Sequence, residues 1–210
     1  MLLYHGLPNQ TANTYLKFAA EVQFSTVNIN HPTVGICGLS CILCPSYQTD
    51  AISRCMGCKT ESRMIVGCPF ITCAVKKKGV EFCWNCDEHR TCGKWQKHRE
   101  HGKTKDSFKC YQTLEHDIKL ILEQGACIFV QDQLVREHIL KQMLEQFNEG
   151  RSKSYYCIAV TVMDKNESEQ ALEEVKQKSE GLDIKTKAEL LHSILDDMAQ
   201  EKGYLLKLRK

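Results

Sequence analysis

The chain has no run approaching the roughly twenty apolar residues needed to cross a bilayer. Its longest apolar run, Tyr155 to Met163, contains Thr161 and has the length of a strand. The first ten residues lack the charged head, long apolar segment and small-residue cleavage site of a secretory signal. Neither sign of charge dominates, with 28 Lys and Arg against 26 Asp and Glu, so no overall field draws the protein to nucleic acid or to an anionic membrane. No nucleophile with a partner base, glycine-rich phosphate loop or paired-carboxylate motif stands out. Asp196-Asp197 and Glu173-Glu174 fall on expected helix surfaces, where adjacent carboxylates point apart. Tandem repeats of solenoid length and low-complexity tracts are missing too. These absences predict a soluble cytoplasmic protein with no membrane partner and leave the question of an enzyme open.

Cysteine, in contrast, is abundant. Of 13 cysteines, ten lie between residues 37 and 92: Cys37, Cys41, Cys44, Cys55, Cys58, Cys68, Cys73, Cys83, Cys86 and Cys92. Three C-x-x-C pairs fall among them. Two thiolates at that spacing on a tight turn can face one ion, whereas a disulfide between them is strained, so the repetition favours metal. A reducing compartment strengthens that preference.

At 210 residues and 42% hydrophobic content the chain is long enough for one medium or two small globular domains. Residues 1–35 read as an amino-terminal extension with one helix over Ala12 to Gln23. Residues 36–109 read as a cysteine-rich metal-binding domain, because glycines, cysteines and charges break every apolar run and metal must replace the missing core. Residues 110–210 read as an α+β domain. Stripes at Tyr111, Leu114, Ile118, Ile121 and Leu122, then at Val135, Ile139, Leu140, Met143, Leu144 and Phe147, predict two packed helices ending at Gly125 and Gly150. Ser154 to Met163, rich in Tyr, Ile, Val and Thr, predicts a strand covered on both faces. Two more helices are expected, from about Ser168 to Ser179 and from about Thr186 to Lys202, with stops at Gly181 and Gly203. The closing run Tyr204 to Leu208 is expected to pair beside the strand. The fold class is therefore α+β: a small irregular metal-stabilised domain followed by a mainly helical domain with a short sheet.

Cys37-Gly38-Leu39-Ser40-Cys41-Ile42-Leu43-Cys44-Pro45 places three sulfurs on a loop able to cup one metal or one cluster. In Cys55-Met56-Gly57-Cys58 the glycine lets backbone amides point at sulfur, as a zinc knuckle or an iron-sulfur loop requires. Ten thiolates exceed two four-ligand sites. Either two mononuclear sites leave two thiols over, or a third site recruits Cys110 and a histidine, or a cluster shares bridging sulfurs. Lys76, Lys77, Lys78, Arg90, Lys94, Lys97, Arg99, Lys103, Lys105 and Lys109 can offset the charge of the thiolates. With Trp84, Trp95 and Phe108 between them, these cations are also compatible with phosphate and base contacts, against the plainer reading of a solvated rim and a small local core. His98 and His101 follow Cys83 and Cys86 at spacings that fit a two-cysteine, two-histidine finger poorly, and read as surface histidines; His89 is a spare ligand. Cys127 and Cys157 read as buried thiols.

The succession Cys37-Gly38-Leu39-x-Cys41-x-x-Cys44-Pro45, Cys55-x-Gly57-Cys58, Cys68-x4-Cys73, Lys78-Gly79-Val80-Glu81-Phe82-Cys83-x-x-Cys86 and Cys92 resembles a family of cysteine-rich bacterial and archaeal proteins known as domain of unknown function 3795. Longer members are similar also around Phe147 to Cys157 and at the ending Gly203 to Arg209. The resemblance implies metal-type cysteine spacing and a cytoplasmic, often anaerobic setting, and it implies no substrate.

Three functions follow as expectations. Structural zinc sites in an interaction or regulatory module, with a protein partner, ask least of the sequence, since closed four-thiolate zinc has no redox role and no open position. An iron-sulfur protein in electron transfer or redox sensing is the alternative, supported by Cys44-Pro45 and Cys68-Pro69. Cys37-x3-Cys41-x2-Cys44 resembles the spacing of radical S-adenosylmethionine enzymes, but these need a parallel βα barrel around the cluster, whereas here more cysteines and a largely helical segment follow at once, which counts against radical catalysis. Nucleic-acid binding through Lys76, Lys77, Lys78 and their neighbours is the third. All ten clustered cysteines are metal-ligand candidates.

Overall fold

A computed structural model describes residues 27–60, 63 and 68–210. The expected helix over Ala12 to Gln23 lies outside these residues. The described residues form seven α-helices and no strand, so the expected short sheet is not there and the protein is mainly helical. In chain order the helices are α1 (Pro69–Ile71), which runs into a π-helical turn at Thr72–Lys77, α2 (Gly93–Thr104), α3 (Leu114–Gln124), α4 (Ala126–Phe147), α5 (Lys153–Val162), α6 (Lys165–Lys178) and α7 (Ile184–Lys202).

The stripes and stops read from the sequence correspond to α3, to the second half of α4, to α6 and to α7. Asp164 and Asp183 cap α6 and α7 by accepting backbone N–H bonds from Asn166 and from Lys185 and Thr186. The segment read as a strand is α5. Tyr156, Cys157, Ile158, Ala159 and Val160 are all buried, so the helix is apolar all round because neighbours surround it. A run without polar alternation carries no period that separates a buried strand from a buried helix. Thr161 fits the helical state through its hydroxyl, which donates to the Cys157 carbonyl one turn back at 2.6 Å.

Helix α4 is the hub and packs against α3, α5, α6 and α7. Leu140, Met143 and Phe147 of α4 meet Tyr156 and Val160 of α5, Leu172 and Val175 of α6 and Leu191 and Leu195 of α7 in one core. Each such fully buried side chain contributes about 1.5–3 kcal/mol relative to exposure. Tyr156 satisfies its hydroxyl inside that core by donating to the Phe147 carbonyl at 2.9 Å. Ile42 and Leu43, from the first cysteine loop, belong to the same core.

The carboxyl-terminal run does not pair as a strand; side chains hold it. Gln112 donates to the carbonyls of Leu205 and Lys207 at 3.0 and 2.9 Å. Arg209 grips Asp106 and donates to the carbonyls of Gly102 and Lys103. The single isolated bridge among the described residues joins Val34 and Ser40. No helix among them is long and apolar enough to cross a membrane.

Candidate functional site

The first cysteine loop is a tight hairpin. Gly35 N–H donates to the Leu39 carbonyl at 2.7 Å and Cys41 N–H to the Thr33 carbonyl at 2.8 Å. Gly38, at φ +97°, makes the reversal, and a Cβ there would lie 2.9 Å from Ile118 of α3, so glycine is required both by conformation and by contact. Gly38 thus lets the loop lie close against α3, with Cys37 packed beside Leu114 and Ile118. Gly57 plays the same part in the second loop, at φ +107° and with a Cβ position 3.0 Å from the Pro32 carbonyl.

Beside the second loop lies a buried ion pair. Lys59 donates to Glu81 at 2.7 Å and to the His31 carbonyl at 3.1 Å, and its ammonium sits 3.6 Å from the centre of the Phe82 ring. Glu81 also accepts the His31 N–H at 2.8 Å. Burial pushes the Lys59 pKa down while Glu81 opposes the shift.

All thirteen cysteines are free thiols, and two sets emerge. Cys41, Cys44, Cys55 and Cys58 line one cavity. Within this set Cys41 hydrogen-bonds Cys58, which favours the thiolate at Cys58 and holds the proton on Cys41. Lys109 adds to the asymmetry, with its ammonium 3.6 Å from the Cys58 sulfur, and Arg63 hydrogen-bonds Cys55. Burial alone would push Lys109 down, but Cys58, Cys37, Cys44 and Cys41 outweigh it and keep the lysine charged. The second set centres on Cys83, pushed up to about 12 by burial and by Cys37, Cys92, Cys73 and Cys68 around it. Cys68 and Cys92 occupy the N-cap positions of α1 and α2, and Cys83 opens a 3₁₀ turn that ends before Cys86. Cys37 stands between the sets: burial raises it to about 11, its sulfur accepts the Leu39 N–H, and it feels both Cys58 and Cys68.

Soft sulfur donors, partly buried and beside fixed cations, suit the metal that the cysteine spacing implies. In the arrangement described, no three His, Cys, Asp or Glu side chains among the described residues converge at ligand separations. Cys157 is buried as expected, whereas Cys127 is exposed. His98 departs from its reading as a surface residue. It lies among Phe70, Trp95 and Tyr111 at 4.8, 5.8 and 5.2 Å between ring centres, and its buried Nε2 has no partner among the described residues. Trp95 is buried and Trp84 stacks on Phe82 at 4.5 Å, so both serve a local core, while Phe108 is exposed.

The cavity holds about 340 Å³. Its thiol wall faces Asp117 of α3 and Gln133 of α4, both buried. Sequence reasoning missed Asp117, which sits one place from an exposed histidine and shows its burial only once α3 and α4 are packed. Burial pushes Asp117 up to about 6, against the opposing hydrogen bonds of Thr113 and His116. A carboxyl with a raised folded pKa binds more protons folded than unfolded, so stability falls as pH rises from about 4 to about 6 and the full cost persists above. Asp117→Asn is therefore expected to raise stability by about 1–3 kcal/mol at pH 7.5, with the gain vanishing below pH 4. Urea unfolding midpoints across that range check it.

The protein is thus mainly helical, with ten of its thiols gathered in its first half. Residues 33–97 match the model of the family described as "Protein of unknown function (DUF3795)", so this cysteine-rich segment is similar to that family. No curated protein and no solved structure matches it.

Proposed function

We infer that the protein binds metal through its clustered thiolates and that zinc sites give residues 36–109 their shape in a cytoplasmic interaction or regulatory module. The observation that carries this reading is the gathering of free thiols into two sets, one of them beside the charged Lys109. Cys41, Cys44, Cys55 and Cys58 would hold one ion, and four of Cys37, Cys68, Cys73, Cys83, Cys86 and Cys92 a second. Zinc bound by four thiolates supplies cross-linking without redox chemistry. The chain's own residues supply the rest: the Leu39 N–H and Lys109 stabilise negative sulfur, and Gly38 and Gly57 allow the loops to close. The partner is taken to be a protein, since Trp84 and Trp95 are used inside the fold and not as base-stacking surfaces.

Purification without oxygen, followed by elemental analysis and a visible spectrum, tests the reading. About two zinc ions per chain in a colourless sample is the expected result. Iron with sulfide in a brown sample selects the iron-sulfur alternative, and neither metal overturns both.

A further inference from the structure

We propose that the cavity between the thiol loops and helices α3 to α5 is a binding site for a small organic amine with an apolar body. Its volume of about 340 Å³ is that of a small-molecule pocket. Leu43, Leu120, Ile158 and Val162 furnish apolar wall. The polar groups decide the ligand's charge. Asp132 is matched by Arg136 and Lys165, each at 2.9 Å, and Arg136 is further committed to the carbonyls of Val160 and Met163. Lys109 is matched by the thiols. Asp117 is not matched in this way: Thr113 donates to one oxygen at 2.9 Å, while exposed His116 stands 3.5 Å from the other.

A carboxylate has room for about four hydrogen bonds, so Asp117 can accept from an ammonium. Gln133, 7% exposed, spends its amide nitrogen on Asp132 and brings a carbonyl acceptor to the same cavity. The site thus offers acceptors to a donor-rich cation, while the cations that line it, Arg136 and Lys109, are already engaged. Ser40 adds an independent sign of a ligand: its hydroxyl lines the cavity, is buried and has no partner among the described residues. A buried carboxylate that costs stability is, moreover, the kind of residue that function retains. The acceptors offered to the ligand are not thiols, but the charge count takes Lys109 as offset by Cys58 and its neighbours, and in that respect the proposal rests on the thiolate reading above.

The test is calorimetric titration of the full chain, as isolated with its metal, using tryptamine and indole-3-acetate, which share a ring system and carry opposite charges. Saturable binding of tryptamine without binding of indole-3-acetate is expected. Asp117→Asn should weaken tryptamine by about tenfold or more, the loss of one charge-assisted contact. Leu120→Trp, which narrows the cavity from its partly exposed side, should abolish it. Equal binding of both probes, binding of neither, or unchanged affinity in a folded Asp117→Asn protein would overturn the proposal. Metal content measured on the same samples separates this failure from a failure of the metal reading.

Discussion

Exchanging Cys41 and Cys58 together for serine is expected to remove one of the two proposed metal equivalents and to unfold the loops that carry them. Serine hydroxyls are poor ligands for a soft ion, and the two sulfurs are hydrogen-bonded partners in a single set, so the change removes half of one ligand set. Metal binding in small thiolate domains supplies about 10–16 kcal/mol of folding free energy. Loss of one site therefore exceeds anything that a surface substitution can do. The affinity of that site should fall by more than the roughly 10–100-fold that changes to outer-shell groups produce. Elemental analysis of the variant beside the parent decides it, and undiminished metal content would place the ligands elsewhere. Because Ile42 and Leu43 lie in the helical core, part of the destabilisation should reach α4 and α5 as a lowered unfolding midpoint.

The second large effect concerns Lys59 and Glu81. The Lys59 side chain is 0% exposed and that of Glu81 11%, so removing one partner leaves an uncompensated charge inside the protein. Lys59→Met is expected to cost about 3–5 kcal/mol, and Lys59→Met with Glu81→Leu substantially less, because the burden lies in the orphaned carboxylate. Urea denaturation of the two variants measures the difference. If both lose the same stability, the pair owes its worth to packing on Phe82 and the His31 carbonyl instead of to charge matching.

Helical period made α3, α6 and α7 legible, and Gly203 marked the end of α7. The same reasoning failed at α5, where being surrounded erased the polar face that would have betrayed a helix. It also failed at the carboxyl-terminal run, because apolar spacing says nothing of the Arg209 and Gln112 side chains that hold it. At the site, the thiols and the cation surplus around them were visible in composition. Lys109 was one of ten basic candidates, and only the fold singles it out as the cation beside Cys58. The packing of His98 among aromatic rings and the burial of Asp117 depend on contacts between separate segments, which no local pattern encodes.

Amide hydrogen exchange between Val34 and Cys92, followed by mass spectrometry before and after anaerobic removal of metal with a chelator, tests whether bound metal gives this segment its shape. Protection in that segment should collapse on metal removal while the buried amides of α4 to α7 stay slow to exchange. Unchanged protection from Val34 to Cys92 in fully reduced, metal-free protein would mean that metal does not hold this segment together.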